Sequence, residues 1–282
     1  MAPRLPLPGH GLLRCPVCRL DLAPSAASLV CGNRHSFDVA LDGYVNLLDG
    51  RRRSLIAGGD SAEQLGHRAA FLEAGHFNPV ASAIASHVAH AAPVEGWRVL
   101  DAGCGTGHHL AGVAAALRTP VIGLGFDIAR RAAQRAARQW QALAFAVADV
   151  WADWPVHDEA VDLVLSIFAP KNFAEMSRVL RPGGWLALAY PGPHHLAELI
   201  DRFGLMQQHA GKTDHYAEAM QRWVGPSTAV RLVHRVGLDR ESIRHAVLMG
   251  PNARHIAASA LDVAAAMDVT IDIAMLFARK PG

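Results

Sequence analysis

The stretch Val99-Leu100-Asp101-Ala102-Gly103-Cys104-Gly105-Thr106-Gly107-His108-His109 decides how the rest of the chain is read. Trp97 to Ala102 have the composition of a short buried strand, the glycines impose a tight turn, and His109 to Leu117 carry the apolar spacing of a helix that runs back over a sheet. Glycine suits such a turn because it takes backbone angles that strain other residues and lets a ligand approach the main chain. Downstream, Pro120 to Phe126 read as a second strand with Asp127 at its carboxyl end, where a carboxylate can accept hydrogen bonds from both hydroxyls of a ribose. Ile128 to Trp140 read as a helix, Leu143 to Ala148 as a strand ending at Asp149-Val150, and Val161 to Ser166 as the next strand. A helix closing over Glu175 to Leu180 precedes the turn Arg181-Pro182-Gly183-Gly184 and the strand Trp185 to Ala189. Strands alternating with helices in this way predict an α/β fold with a parallel, doubly wound sheet and ligand chemistry at its carboxyl edge.

Upstream of that core lies a different kind of segment. Cys15-x2-Cys18-x12-Cys31-x3-His35 is a Cys3His set with the spacing of a structural zinc site, and all four tetrahedral positions would be taken by protein. Three clustered cysteines make a poor disulfide framework. A segment this short cannot bury a core of its own, so bound metal would supply much of its folding free energy. Phe37, Tyr44, Val45 and Leu47 are expected to pack beneath the metal or against the next domain. Residues 1–50 are therefore read as a zinc-binding module, 51–95 as linker and bridging helices, and 96–282 as the α/β domain. The linker carries Arg51-Arg52-Arg53, and between Met1 and Arg53 seven Arg face four Asp, a local excess of positive charge suited to phosphate. Asp60-Ser61-x-Glu63 opens a helix to Glu73, and Asn78-Pro79 opens a second to Ala91.

The 282 residues are 51% hydrophobic, enough for a substantial core, and the formal charge of +2 is too near neutral to point to a polyanion by itself. No apolar run is long enough to span a bilayer, and Met1 to Gly11 lack a signal-peptide core, so a cytoplasmic protein is expected. The carboxyl third is less legible. Ile200 to Arg222 read as largely helical, Ala229 to Val236 as a strand, Asp239 to Val247 as a helix, and Val269 to Phe277 as a final antiparallel strand. His194, His195, His209 and His215 match no tight metal-ligand spacing.

The pattern Asp101-x-Gly103-x-Gly105-x-Gly107, with Asp127, Ala148-Asp149 and the Arg-Pro-Gly-Gly turn, resembles the Rossmann-like class I methyltransferases that bind S-adenosylmethionine. The whole chain narrows this further. Cys15-Pro-x-Cys18, Gly43-Tyr44-Val45-Asn46-Leu47-Leu48, Ala74-Gly75-His76-Phe77, Phe168-Ala169-Pro170 and Pro191-Gly192-Pro193-x-His195-Leu196 resemble the zinc-bearing 23S rRNA (guanine-N1)-methyltransferases of the RlmA type. Gly105-Thr106-Gly107-His108-His109-Leu110 and Ala148-Asp149-Val150-Trp151 look closest to the Gram-positive, tylosin-resistance branch.

The resemblance implies methyl transfer to N1 of one guanine in a 23S rRNA hairpin loop near the macrolide site, with residues 1–50 as an RNA-recognition module, tylosin-type resistance as a consequence and a homodimer as the working form. It places Asp101, Gly103 and Gly105 at the methionine part of the cofactor, Asp127 at the ribose, Asp149 and Val150 at the adenine, and further cofactor contacts at Phe77, His109, Leu110 and His195. Phe77 stands where some relatives have Tyr, so no hydroxyl contact is available there. Phe168 and Pro170 are expected beside the substrate base, Phe168 stacking on the flipped guanine. N1 of guanine must lose a proton; His76, Asp60 and His195 are the candidates to take it, and none is singled out. A methyltransferase acting on a quinone or macrolide, and a non-catalytic zinc-containing RNA-binding protein, are the alternative functions.

Overall fold

The computed structural model describes residues 7–48, 60–206, 212–262 and 265–282. The front segment forms a three-stranded antiparallel sheet of β1 (Leu22–Ser25), β2 (Ser28–Cys31) and β3 (Ser36–Asp38), followed by β4 (Tyr44–Asn46). Two helices follow, α1 (Ala62–Glu73) and α2 (Asn78–Val88). Ser61 caps α1: its hydroxyl accepts from Gln64 N–H while the Gln64 side chain accepts from Ser61 N–H, so two orphan donors are satisfied reciprocally. The α/β core then runs β5 (Trp97–Ala102), α3 (His108–Ala116), β6 (Val121–Asp127), α4 (Arg130–Gln139), β7 (Ala144–Val147), β8 (Val161–Ile167), α5 (Phe173–Val179) and β9 (Leu180–Pro191). It ends with α6 (Ala197–Phe203), α7 (Lys212–Trp223), β10 (Ser227–Leu238), α8 (Arg240–Leu248) and β11 (Met267–Arg279).

The strands form one eight-stranded sheet in the order β10-β11-β9-β8-β5-β6-β7-β4. Pairing is parallel from β9 through β4, and β11 lies antiparallel to both β9 and β10. The order reverses between β5 and β8, and such a reversal leaves a crevice at the carboxyl ends of the strands. Alternation along each strand feeds two cores. Val99, Leu163, Leu165 and Phe277 face α2, α3, α4 and α8, whereas Leu100, Val164, Leu186 and Leu276 face α5, α7 and the front segment.

That second face explains the place of the cysteine segment. Between β7 and β8 the chain forms no helix, only a loop carrying the buried residues Val150, Trp154 and Val156. Leu12, Leu13, Leu22 and Leu29 fill the space a crossover helix would cover. Backbone bonds lock the two together: Arg14 N–H donates to Pro155 O at 3.1 Å and His157 N–H to Leu12 O at 3.0 Å. β4 adds directly to the sheet beside β7, with Tyr44 opposite Phe145. The helices α1 and α2, read from sequence as bridging elements, lie on the face opposite the cysteine segment, α2 against α3 and α1 against α8. The linker read at residues 51–59, with its arginine triplet, lies outside the described residues.

The core elements fall where periodicity places them, and the differences have local causes. The helix expected from Ile128 begins at Arg130 because the Asp127 carboxylate takes Ala129 N–H at 2.8 Å and holds that turn open. The Arg181-Pro-Gly-Gly turn is absorbed into β9, where the pairing with β8 shifts register between Val161 and Leu163. The helix expected over Ile200 to Arg222 is two helices, α6 ending at Gly204 in the left-handed conformation and α7 starting at Lys212; His209 lies outside the described residues.

Candidate active site and metal site

Above the carboxyl ends of β5, β8 and β9 lies a cavity of about 470 Å3, within the range of small-molecule sites. One wall is the glycine turn. Gly103 has φ +80°, and a Cβ there would come within 2.6 Å of the Ala169 methyl, so close packing against the β8 loop, as well as the backbone angle, demands glycine. Asp101, at the base of the turn, is 1% exposed, and its Oδ1 has no hydrogen-bond partner among the described residues. Burial, with the nearby Asp127 carboxylate adding repulsion, pushes its carboxyl up to about 8. A buried oxygen in this condition calls for a ligand carrying donors or positive charge.

The opposite wall is aromatic. Phe77 stacks on Phe168 with centroids 5.3 Å apart, lies 6.4 Å from His109 and 5.7 Å from His195, and Phe168 stacks on His195 at 6.1 Å. Phe168 holds φ +53° and keeps 37% of its surface exposed. A bulky residue in the left-handed region is strained, and such strain gathers at binding sites, where surrounding contacts hold it. Here Phe168 N–H is tied to Ala189 O at 2.9 Å, which aims the ring into the cavity.

Both histidines are neutral. Burial pushes His109 down to about 3, assisted by His108 and Arg68, and His195 down to about 4. His195 Nδ1 accepts from Asp272 N–H at 3.3 Å, so its ring proton sits on Nε2, and that nitrogen is a donor. The loop carrying His195 rests on Asp272, whose carboxylate takes Arg231 Nε at 2.8 Å, Arg231 Nη2 at 2.7 Å and His194 N–H at 2.8 Å. A Cβ at Gly192 would collide with that carboxylate.

Of the residues expected at the site, Phe77, Asp101, Gly103, Gly105, His109, Phe168 and His195 line the cavity. The others are not part of its lining. Leu110 is fully buried in the core under α3. Asp127 accepts from Gly105 N–H at 2.9 Å and Ala129 N–H at 2.8 Å, so its carboxylate holds the glycine turn in place. Asp149 takes Trp151 N–H, Val150 O takes Trp154 Nε1 and Asn172 Nδ2, and Pro170 O takes the Ser166 hydroxyl. Sequence reading missed Arg68, which lies 3.8 Å from a Cβ built on Gly105, pairs with Asp60 and donates to Met249 O at 2.9 Å. It also missed Lys171, Tyr190, Lys212 and Tyr216, which form the far end of the cavity. Only the neighbouring Phe-Ala-Pro motif pointed toward them.

The Cys15, Cys18 and Cys31 sulfurs and a His35 nitrogen all lie within 4.8 Å of one another. Cys18 Sγ is 3.6 Å from Cys31 Sγ, and His35 Nδ1 is 3.6 Å and 3.3 Å from the sulfurs of Cys15 and Cys31. A tetrahedral zinc with Zn–S bonds of about 2.3 Å has ligand separations of roughly 3.5–3.8 Å. The donor set fits zinc, with no open position for chemistry. The unpaired Asp101 oxygen, the glycine wall and the aromatic wall fit S-adenosylmethionine, whose ammonium and sulfonium supply the positive charge that the buried carboxyl lacks.

Comparisons with known proteins agree with both sites. A methyltransferase-domain family matches residues 99–184, and an RlmA N-terminal zinc-ribbon family matches 13–53. A 23S rRNA (guanine(748)-N(1))-methyltransferase of Streptomyces fradiae is 39% identical over 244 residues, 86% of each chain. A Micromonospora griseorubida protein assigned 23S rRNA guanine-N1 methylation is 40% identical over 95% of this chain and 96% of its own. Among solved structures, the YcgJ protein of Bacillus subtilis superposes with a TM-score of 0.51 at 15% identity, over 72% of this chain and 99% of its own, which supports the fold. Identity of 40% over 95% of the chain, together with the zinc-ribbon match at residues 13–53, makes this chain a member of the zinc-bearing 23S rRNA (guanine-N1)-methyltransferase family.

Proposed function

We propose that the protein transfers a methyl group from S-adenosylmethionine to N1 of one guanine in a 23S rRNA hairpin loop, at the position corresponding to guanine 748 of the Streptomyces fradiae enzyme's substrate. The observation that carries this reading is a single chain holding both the Cys3His ribbon and the cavity, with relatives acting on that RNA matching across both. The cofactor supplies an electrophilic methyl. Asp101, ionised once a cation lies beside it, holds the cofactor's positive end, and His195 Nε2–H and the Phe77 ring fix its orientation. Phe168, exposed at the cavity rim, stacks on the extruded guanine and excludes water from it. Orientation of this kind accounts for much of the rate in a displacement between two bound partners. The zinc ribbon, locked to the loop between β7 and β8, serves as a rigid RNA-gripping surface, and a homodimer in the cytoplasm completes the reading. None of the helices among the described residues is long and apolar enough to cross a membrane.

The test is incubation with radiolabelled S-adenosylmethionine and either a 23S rRNA hairpin, a quinone or a macrolide. Label in the hairpin, with primer extension halting at one guanine because N1 methylation blocks Watson–Crick pairing, supports the proposal. Label only in a small molecule overturns it. Tylosin sensitivity of cells with and without the gene then tests the resistance role.

A further inference from the structure

The far end of the cavity holds a lysine whose surroundings are unusual for an amine. Lys171 follows the Phe-Ala-Pro turn past β8; its Nζ donates to Ala169 O at 2.5 Å and lies 5.5 Å from the centre of the Tyr216 ring. Among the described residues no carboxylate lies within ion-pair distance of it. The groups facing it are Lys212 and Tyr216 from α7, with Tyr190 of β9 behind Tyr216. Tyr190 O–H is committed as a donor to Thr213 Oγ1 at 3.0 Å.

The candidates suggested by sequence for handling a proton are otherwise engaged. Asp60 is held by Arg68. His195 Nδ1 is occupied, and its Nε2 carries the proton. His76 is outside the cavity wall, its ring 4.9 Å from Phe71. Asp101 lies under the glycine turn, at the cofactor end.

Resting on the function proposed above, we propose that Lys171 Nζ, as the neutral amine, is the catalytic base that takes the N1 proton of the target guanine. The step balances. The N1–CH3 bond forms as the S–CH3 bond breaks, and the N1–H electron pair stays on N1 while its proton moves to Nζ. One positive charge enters as sulfonium and leaves as ammonium. Desolvation, with Lys212 adding repulsion, already holds the lysine down to about 8, so a fraction is neutral near physiological pH. A sulfonium in the same cavity lowers it further while it is present, and methyl transfer removes that charge as the ammonium forms. Ala169 O and the Tyr216 ring stand ready to receive the ammonium.

The experiment combines kinetics with a direct titration of the lysine. Single-turnover methylation of the 23S rRNA hairpin is followed from pH 6 to 9.5 for the unaltered protein, Lys171→Met, Lys171→Arg and Lys171→Ala, with methylamine added to the last. Competitive acetic-anhydride labelling read by mass spectrometry titrates Lys171 in the free protein, with S-adenosylhomocysteine and with the cationic analogue sinefungin. Expected are losses of about 10²- to 10⁴-fold in both the Met and the Arg variants with hairpin and S-adenosylhomocysteine affinity unchanged. Methylamine should restore the Ala variant in proportion to its neutral form, and the unaltered kcat/KM should fall about tenfold per unit below the lysine's own titration. Labelling should put Lys171 below the ordinary lysine value of about 10.4, and lower with sinefungin than with S-adenosylhomocysteine. Full activity of Lys171→Arg, full activity of Lys171→Met, or an ordinary lysine titration overturns the proposal while hairpin methylation by the unaltered protein leaves the function standing. Failure of the unaltered protein to methylate the hairpin overturns both.

Discussion

Two carboxylates in this sheet are equally buried and differ in every other respect. Asp272, on β11, is 0% exposed and answered by Arg231 and a backbone N–H, which hold its carboxyl below the usual range. Asp101, on β5, is 1% exposed, keeps an unpaired oxygen and is pushed up to about 8. Burial alone therefore says nothing about role. The paired carboxylate supports a loop, and the unpaired one meets no cation among the described residues. Asp101 and Lys171 mark the two ends of the ligand cavity, and among the described residues the one meets no cation and the other no carboxylate.

The cysteine cluster extends the comparison, since it too is incomplete without a ligand, and its removal should have the largest effect. Cys31→Ser, or chelation, is expected to abolish stoichiometric zinc and release the ribbon, because structural zinc contributes on the order of 10 kcal/mol to such folds. Zinc analysis by mass spectrometry and limited proteolysis between residues 15 and 35 would show it; an intact, protease-resistant ribbon without metal would break the parallel.

Asp272→Asn comes next. Removing the charge leaves Arg231 and His194 N–H poorly answered, and we expect about 2–4 kcal/mol of destabilisation in urea titration, below the upper end for buried pairs because Arg231 is half exposed. The sign of the pH dependence follows from the lowered carboxyl. Its stabilisation is present above the unfolded-state value near 3.9 and is lost as pH falls through the lower folded-state value. A variant that loses as much stability as the parent across that window would place the stabilisation elsewhere.

Asp101→Asn should act in the opposite direction. A buried carboxyl raised to about 8 costs stability progressively as pH climbs from about 4 toward 8, so the variant should match or exceed the parent's melting temperature at pH 8. Its affinity for S-adenosylmethionine should fall about 10- to 100-fold, or 1.4–2.8 kcal/mol, by calorimetry. A destabilised Asp101→Asn with normal cofactor affinity would erase the distinction between the two carboxylates. The smallest effect is expected at Phe168→Leu: cofactor affinity and stability near those of the parent, with a weakened hairpin KM reflecting about 1 kcal/mol of lost stacking.

The contrast also separates what was legible from what was not. Strands β5, β6 and β8, the helix start at Asp60-Ser61 and the helix start at Asp239 could be read locally, because burial alternation, side-chain capping and glycine punctuation act over a few residues. The Cys3His set was readable for the same reason, its spacing being a consequence of a tight turn and a hairpin. The pairing of β4 with β7 was not, since a three-residue strand more than ninety residues from its partner has no local signature. Nor was the substitution of the ribbon for a crossover helix on the second face, which depends on Leu12 and Leu13 meeting Val156.

By itself the sequence determined the parallel core, the metal ligands, the glycine turn and the family, because each rests on residue types at short fixed intervals. Only the tertiary structure decided which buried groups are satisfied. Arg231 reaches Asp272 across 41 positions and Asp272 N–H sets the His195 tautomer across 77, while among the described residues Asp101 Oδ1 meets no partner and Lys171 Nζ finds a carbonyl and an aromatic ring but no carboxylate. Protonation and charge in a closed cavity depend on neighbours in space, and chain order does not specify those neighbours.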